Sequence, residues 1–240
     1  MARHEIEEKS NVTKKDILAI AKPILFNTNM VRAILDDRKT VTRRKIDIDI
    51  INNCDMDVDG TLLHYQNNHG DFIDPVKLCR YQKGDYLYVR ETWQKAGLVD
   101  GCDRIIESTL KYYYAAGPEI PCFDFWVDTN TGEHKDHMPW HPSIHMPKEA
   151  ARIFLKVTDV RVERLHTMTL DDFLAEGVVL RPEAFNDPEN AYQQARSIFS
   201  EIWDSTIPKK DLEKYGWAAS PWVWVIQFER VEVQNKSIAV

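Results

Sequence analysis

The residues best suited to chemistry lie in one short stretch, residues 36–45, where five cationic side chains and two threonines follow a pair of aspartates. Unpaired charges are costly to bury, so such a stretch is poor core material. From Arg32 to Lys45 the chain carries six basic and two acidic residues, a local charge of +4, whereas the whole protein carries −7. A basic patch on an acidic protein indicates a site for an anion or a polar base, and a solvated charged turn is the alternative.

Helix start signals predict how this stretch is positioned. Thr13 and Asp16 have the spacing of a capping box before a short helix. Thr28 is predicted to cap a second helix, whose apolar stripe leads directly into the basic stretch. Lys39 and Thr42 should therefore lie in a turn or on the strand that follows.

Two further helices are predicted in the second half of the chain. Thr169 can cap a helix over residues 170–176 that ends at Gly177, since glycine is favoured just past a helix end. Asp187 and Pro188 have the residue types that open a helix, and they precede the longest apolar-faced segment of the chain.

Alternating or β-branched and aromatic runs predict about six strands in all. The clearest runs are residues 22–26, 86–93, 112–116, 152–165 and 221–232. Because few strands are separated by crossover helices, the pattern favours an α+β fold, with a mixed sheet or small barrel flanked by three or four helices. Two turn-rich stretches, residues 46–80 and 94–138, are predicted to be loop or hairpin insertions.

The bulk composition predicts a polar tail and short helix over residues 1–21 and a single domain over residues 22–240. A hydrophobic content of 43% is enough for a core. The chain has no apolar run near the length of about 20 residues that crosses a bilayer. No signal-peptide core follows Met1. We therefore expect a cytoplasmic protein without a membrane partner.

The cysteines give little support for a metal site. The chain has four cysteines, Cys54, Cys79, Cys102 and Cys122. None of them belongs to a CxxC pair, which is the usual spacing of zinc ligands. His134 and His137 are the nearest thing to such a pair. Reduced thiols, with no metal and no cofactor, are the prediction.

Six segments, taken in order, carry a resemblance to a known family: residues 22–26, 38–44, 84–93, 143–147, 175–177 and 221–226. Together they resemble the ASCH domain family, in the longer form found in bacteriophages and prophages. The resemblance covers residues 22–233, with the two insertions. It implies a PUA-like fold, a small mixed β-barrel with helices at its mouth, and a role in binding RNA or nucleobases. A phage-encoded protein would act in the host cytoplasm.

The resemblance also implies candidate catalytic residues. One small-protein branch of the family hydrolyses the acetyl amide on the exocyclic amine of cytidine, with a Gly-Arg-Lys-Thr-x-Thr-x-Arg motif and a later glutamate. The matching lysine, threonine and glutamate here are Lys39, Thr42 and Glu176, and Arg44 matches the final arginine. Asp37 stands in place of the motif's glycine and is expected to alter the turn. The small enzymes lack the two insertions.

Amide hydrolysis needs a nucleophile, a base and donors for the oxyanion. Thr42 would be the nucleophile, and Lys39 the base if its pKa is lowered, which the neighbouring arginines favour because like charge disfavours an ammonium. Glu176 would act as general acid–base or orient water, provided that the fold brings the segments together.

Other residues are predicted to bind the substrate or nucleic acid. Arginines can hold phosphates, aromatic rings in irregular segments can stack on a base, and a serine and histidine can read a base edge. Arg90 is included because it and Glu91 point to opposite faces of a strand, so that one must face inward. The set comprises Arg38, Arg43, Arg44, Arg90, Trp140, Ser143, His145 and Trp217.

Three functions remain open from the sequence. The first is binding of a nucleobase, nucleoside or RNA with hydrolysis of an acylated cytidine amine. The second is a non-catalytic RNA- or DNA-binding module. The third is a ribonuclease that uses the same cleft. The oligomeric state is not predicted.

Overall fold

The computed structural model describes residues 13–58, 60, 62–67, 69–102, 104–117, 126–127, 132–136 and 139–233. The predicted polar tail before Thr13, much of the second predicted insertion, Cys122 and His137 lie outside this set. The described residues fall into two compact units. The first belongs to the ranges Met1–Leu35, Tyr86–Leu155 and Val231–Val240, and the second to Asp36–Asp85 and Lys156–Arg230. A single domain over residues 22–240 stays a prediction.

The described residues contain six α-helices and twelve strands. The helices are α1 Lys14–Ile20, α2 Thr28–Leu35, α3 Ile48–Asn52, α4 Leu170–Ala175, α5 Pro188–Ser205 and α6 Leu212–Tyr215. The strands are β1 Lys22–Leu25, β2 Val41–Lys45, β3 Cys54–Met56, β4 Leu62–Gln66, β5 Phe72–Ile73, β6 Tyr86–Arg90, β7 Trp93–Ala96, β8 Lys111–Tyr114, β9 Trp126–Val127, β10 His134–Lys135, β11 Phe154–Arg164 and β12 Trp222–Val231.

These elements confirm the predicted α+β class. They also show more strands than the predicted six, because several, such as β5, β9 and β10, have only two residues and carry no readable periodicity. Within the described ranges the sheets do not close into a barrel. No helix in the described part of the chain is long and apolar enough to cross a bilayer.

The first unit joins a parallel strand pair to an antiparallel ribbon. β1 and β6 run parallel, with Lys22 opposite Leu87, and β7 pairs antiparallel with β8, with Trp93 opposite Tyr114. Its core contains Ile17, Ala21, Tyr88, Met146, Ala150, Ala151 and Phe154. The predicted capping box is confirmed, since Thr13 accepts from the Asp16 N–H and the Asp16 carboxylate accepts from the Thr13 N–H.

One predicted cap in this unit is wrong by one residue. The Oδ1 of Asn27 accepts the Met30 N–H at 2.9 Å, so Asn27 caps α2 and Thr28 is its first helical residue. Asparagine is at least as favourable as threonine at a helix N-cap. The cap is the residue whose side-chain oxygen accepts the N–H of the third helical residue, here Met30.

The second unit contains a sheet in which β12 lies between β11 and β2, with β2 paired antiparallel to β12. β3, β4 and β5 form a separate antiparallel sheet inside the predicted first insertion, which is therefore hairpin-like. The core beneath α4 and α5 includes Val41, Phe173, Phe199, Trp203, Val223 and Val225.

The predicted starts of α4 and α5 are confirmed. The Thr169 hydroxyl accepts the Asp172 N–H in a capping box, and Asp187 accepts N–H groups from the first turn of α5. Gly177 follows α4 with φ of +94°, a left-handed conformation that glycine adopts at low cost.

Candidate functional site

The end of α4 and the segment that leads into β2 meet in the second unit. α4 ends at Ala175, and Glu176 is its C-terminal cap. The Thr40 N–H donates to the Ala175 carbonyl at 2.9 Å. The last carbonyls of a helix lack partners within the helix, so this bond satisfies one of them and fixes the loop before β2 against the helix end.

This docking brings Lys39 into direct contact with Glu176. The Lys39 ammonium donates to the Glu176 Oε2 at 2.5 Å, to the Glu176 carbonyl at 3.0 Å and to the Val41 carbonyl at 2.8 Å. An ammonium has three hydrogens, and each has an acceptor here. Lys39, Thr42, Arg43 and Glu176 are only 2%, 1%, 2% and 7% exposed.

Burial lowers the pKa of Lys39 from its usual 10.5. The Glu176 carboxylate opposes this shift, whereas Arg44 and Arg43 add to it. The direction is the one the sequence predicted, but the largest cause is loss of water around the ammonium rather than the neighbouring arginines.

Arg43 continues the charged cluster. Its guanidinium donates through Nη1 to the Glu176 Oε1 at 3.3 Å, and through Nη2 to the Asp172 Oδ1 at 2.8 Å and the Glu163 Oε2 at 3.4 Å. Its Nε has no acceptor among the described residues. Arg43 was predicted to bind phosphate from a basic surface, but its side chain is buried among carboxylates.

The strand that carries these residues has an open edge. The Phe228 N–H donates to the Thr40 carbonyl, so the Thr40 carbonyl and, two residues on, the N–H and carbonyl of Thr42 point toward β12. Val41 and Arg43 therefore direct theirs away from β12, along the outer edge of the last strand of this sheet. The Val41 carbonyl on that edge is the one that accepts from the buried lysine.

Thr42 and Arg44 share a face of β2, since side chains alternate along a strand. They lie opposite Ile226 and Trp224 on β12. Burial lowers the pKa of Arg44, and Tyr81 and Glu176 act in the opposite direction. Glu176 is thus close enough to influence both Lys39 and Arg44, two of the three cations of the motif.

Tyr81 and Asp172 were not predicted as site residues. Burial raises the pKa of the Tyr81 phenol, and the charge of Arg44 opposes this. Asp172 could be recognised from sequence only as the third residue of a capping box. Neither residue has a local pattern that would show its position beside an arginine of β2.

Asp37, at the position where the resembled motif has glycine, lies in a left-handed turn. Asp37 has φ of +55°, the left-handed region that glycine adopts readily and aspartate more readily than most residues. Its carboxylate also pairs with Arg230 at 3.2 Å. Asp37 thus adopts a conformation that glycine favours, and whether the turn is altered stays a prediction.

Two other predicted residues lie in the same unit. Arg38 is partly exposed and donates to the Gly177 carbonyl at 3.1 Å, just past Glu176, and to Asp36 at 2.9 Å. Trp217 is half-buried, with the His166 ring 4.6 Å away between centroids and the His166 Nε2 2.6 Å from the Trp217 carbonyl oxygen.

The remaining predicted residues, Arg90, Trp140, Ser143 and His145, belong to the first unit. Arg90 is half-buried and donates to the Ile144 carbonyl. The inward-facing charge is Glu91, the residue just past the end of β6, which is 1% exposed and accepts hydrogen bonds from the Nε and Nη2 of Arg152 at 2.9 Å. The reason for selecting Arg90 therefore applies to its neighbour.

The described residues contain no group of three histidine, cysteine or acidic side chains arranged to hold a metal ion. Comparison of the chain with protein-family models, with curated proteins and with solved structures finds no match in any of the three.

Proposed function

We propose that the chain is an ASCH-like protein with PUA-like barrel organisation that binds the base of a nucleoside or RNA and hydrolyses an acyl group from the exocyclic amine of cytidine. The observation that carries this proposal is the buried contact between Lys39 and Glu176, residues 137 positions apart in sequence. The motif that the chain resembles requires these two residues to act together with Thr42, which is buried on the adjacent strand.

The first step would form an ester on the protein. The Thr42 Oγ attacks the acyl carbonyl carbon while its proton passes to the neutral amine of Lys39. The carbonyl oxygen takes the negative charge, and Arg44, whose side chain lies on the same face of β2 as Thr42, is the cation that would stabilise it. The lowered pKa of Lys39 favours the neutral amine that this step needs.

The second step releases the base and restores the threonine. The tetrahedral intermediate collapses, the carbon–nitrogen bond breaks, and the exocyclic amine takes the proton that Lys39 received. Glu176, hydrogen-bonded to Lys39, accepts a proton from water, which attacks the threonine ester. The ester bond breaks, a free carboxylic acid leaves, and the Thr42 oxygen takes the proton that Glu176 received from water.

Turnover of N4-acetylcytidine tests this proposal. We expect release of cytidine and acetate by the purified protein, retained in Thr42→Ser and lost in Thr42→Val, which keeps the shape but removes the hydroxyl. Thr40→Val is the matched control, since Thr40 is an exposed threonine two residues away. No release of cytidine by the unmodified protein, or equal release by Thr42→Val, would refute the hydrolase.

A non-catalytic RNA- or DNA-binding module is the second candidate. The observation that favours it is the complete hydrogen bonding of the Lys39 ammonium, which also suits a structural cation. Affinity for an RNA oligonucleotide should then fall steeply with added salt, because phosphate contacts release counterions. Binding that does not depend on salt would count against this function. Cleavage of labelled RNA would instead indicate a ribonuclease.

A further inference from the structure

Arg43 bridges the two ends of one short helix. Its guanidinium reaches Asp172 in the first turn of α4 and Glu176 at its C-terminal cap, at 2.8 Å and 3.3 Å. Arg43 falls on a variable position of the motif, between the threonine and the final arginine. The bridge is therefore a feature of this chain rather than of the motif it resembles.

At one end of the bridge, hydrogen bonds to Thr169 hold the Asp172 carboxylate in place. The Asp172 Oδ2 accepts from the N–H of Thr169 at 3.0 Å and from its hydroxyl at 2.8 Å, while Oδ1 accepts from Arg43. Both carboxylate oxygens of Asp172 are thus used. An arginine anchored on a carboxylate that belongs to a capping box has little freedom to move.

At the other end of the bridge, the Glu176 carboxylate contacts two cations. Oε2 accepts from Lys39 and Oε1 from Arg43. The last torsion of a glutamate side chain is soft, so a carboxylate held through one oxygen could rotate. Contacts to both oxygens fix its plane toward the lysine.

We propose that Arg43 is a positioning residue, which fixes the Glu176 carboxylate against Lys39 and so sets the protonation state from which Lys39 acts. The catalytic part of this inference rests on the proposed hydrolase function. The charged and titratable groups around the pair come from β2, β11, α4 and the segment before β6: Arg43, Arg44, Glu163, Arg161, Asp172 and Tyr81.

The charge of Arg43 adds to the lowering of the Lys39 pKa that burial begins. Replacing Arg43 by a neutral side chain removes this positive charge and leaves the Glu176 carboxylate to pair with Lys39 alone. Both changes favour the ammonium and should raise the pKa of Lys39. A rise of about one unit would leave about tenfold less neutral amine at neutral pH. Because the Arg43 side chain is buried against carboxylates and has no exposed surface for a substrate, kcat should fall and KM should not.

The experiment compares the full chain with Arg43→Gln, Arg43→Lys and Arg161→Gln. The kcat and KM for N4-acetylcytidine are measured against pH, and the ammonium of Lys39 is titrated by nitrogen NMR with its signal assigned in Lys39→Met. Arg161→Gln is the matched control, because Arg161 contacts Glu163 at 2.5 Å and Asp172 at 3.8 Å on the outer side of the cluster.

In Arg43→Gln we expect kcat at pH 7 to fall about tenfold or more, with KM within about twofold and the rising limb of the pH profile moved to higher pH. Arg43→Lys should recover part of kcat, and Arg161→Gln should leave both curves unchanged. A folded Arg43→Gln protein with an unchanged Lys39 titration overturns the positioning role. So does a loss of activity equal in Arg43→Gln and Arg161→Gln.

Failure of the hydrolase and failure of this inference are separable. If the unmodified protein releases no cytidine, the proposed hydrolase fails, and the Lys39 titration alone decides on Arg43. If Arg43→Gln does not fold, Asp172→Asn takes its place, since asparagine keeps an acceptor for the cap but loses the charge that anchors Arg43. A shifted Lys39 titration in that variant supports the role, and an unshifted one overturns it.

Discussion

Lys39 and Glu176 form a salt bridge of 2.5 Å between side chains that are 0% and 4% exposed. Two charges are rarely removed from water so completely, because the loss of hydration exceeds the attraction unless every donor and acceptor is used. Here the ammonium uses all its hydrogens, and both carboxylate oxygens accept from cations. The pair is therefore both a stability determinant and the centre of the candidate site.

Breaking this pair from one side should be costly. Glu176→Gln leaves the Lys39 ammonium buried without its counter-charge, and we expect the free energy of unfolding to fall by about 3–5 kcal/mol. Lys39→Met should cost a similar amount, while the double variant should cost much less than the sum of the two. Urea unfolding of all four proteins measures this coupling, and additive losses would contradict a mutual pairing.

The left-handed turn at Asp37 gives a second prediction. Asp37→Val should destabilise the protein by about 1–2 kcal/mol, since a β-branched residue is strained at positive φ. Asp37→Gly should be neutral or slightly stabilising, and Arg230→Gln controls for loss of the exposed ion pair. Denaturant midpoints provide the measurement. Equal stability of the valine and glycine variants would mean that the turn does not need this conformation.

Tyr114 should make stability depend on pH in alkaline solution. Burial raises its pKa to about 12 from 10, and its hydroxyl donates to the Ala150 carbonyl at 2.5 Å. The folded state thus holds the phenol proton that the unfolded state releases between these values. The stabilisation from this group is complete below pH 10 and is lost as the pH rises toward 12.

The variant Tyr114→Phe isolates this effect. It should lose about 1 kcal/mol at neutral pH with the hydrogen bond, and the difference from the unmodified protein should shrink as the pH rises toward 12. Unfolding by urea at several pH values measures the difference. A constant difference over the whole range would exclude a raised Tyr114 pKa.

The Glu91–Arg152 pair is predicted to be structural. Glu91→Gln replaces the carboxylate that pairs with the Arg152 guanidinium by a neutral amide, while that guanidinium stays 4.2 Å from the Tyr114 ring centre. We expect the free energy of unfolding to fall by about 3 kcal/mol. Turnover of N4-acetylcytidine per folded molecule should not change. A specific loss of kcat in a stable Glu91→Gln protein would show that this cluster takes part in the reaction.

Local signals in the sequence were enough for the starts of three helices, α1, α4 and α5. The capping residues Thr13, Thr169 and Asp187 act on N–H groups within three residues, so their spacing is visible in the chain. At α2 the local signal was ambiguous, since both asparagine and threonine can cap a helix, and the cap in the structure is Asn27 rather than Thr28. The same local reading predicted that Lys39 and Thr42 lie in a turn or on the strand that follows, and in the structure Lys39 precedes β2 and Thr42 lies on it.

What the sequence alone determined was the α+β class, the caps and the concentration of charge before and along β2. Only the tertiary structure decided which charges meet, because the partners of Lys39 and Arg43 lie more than a hundred residues away on α4 and β11. From the sequence Arg43 was expected to bind phosphate, whereas in the structure its side chain is buried and pairs with Asp172 and Glu176. Glu91 rather than Arg90 faces inward. Burial and pairing depend on which surfaces the chain folds together, and no spacing within one segment carries that information.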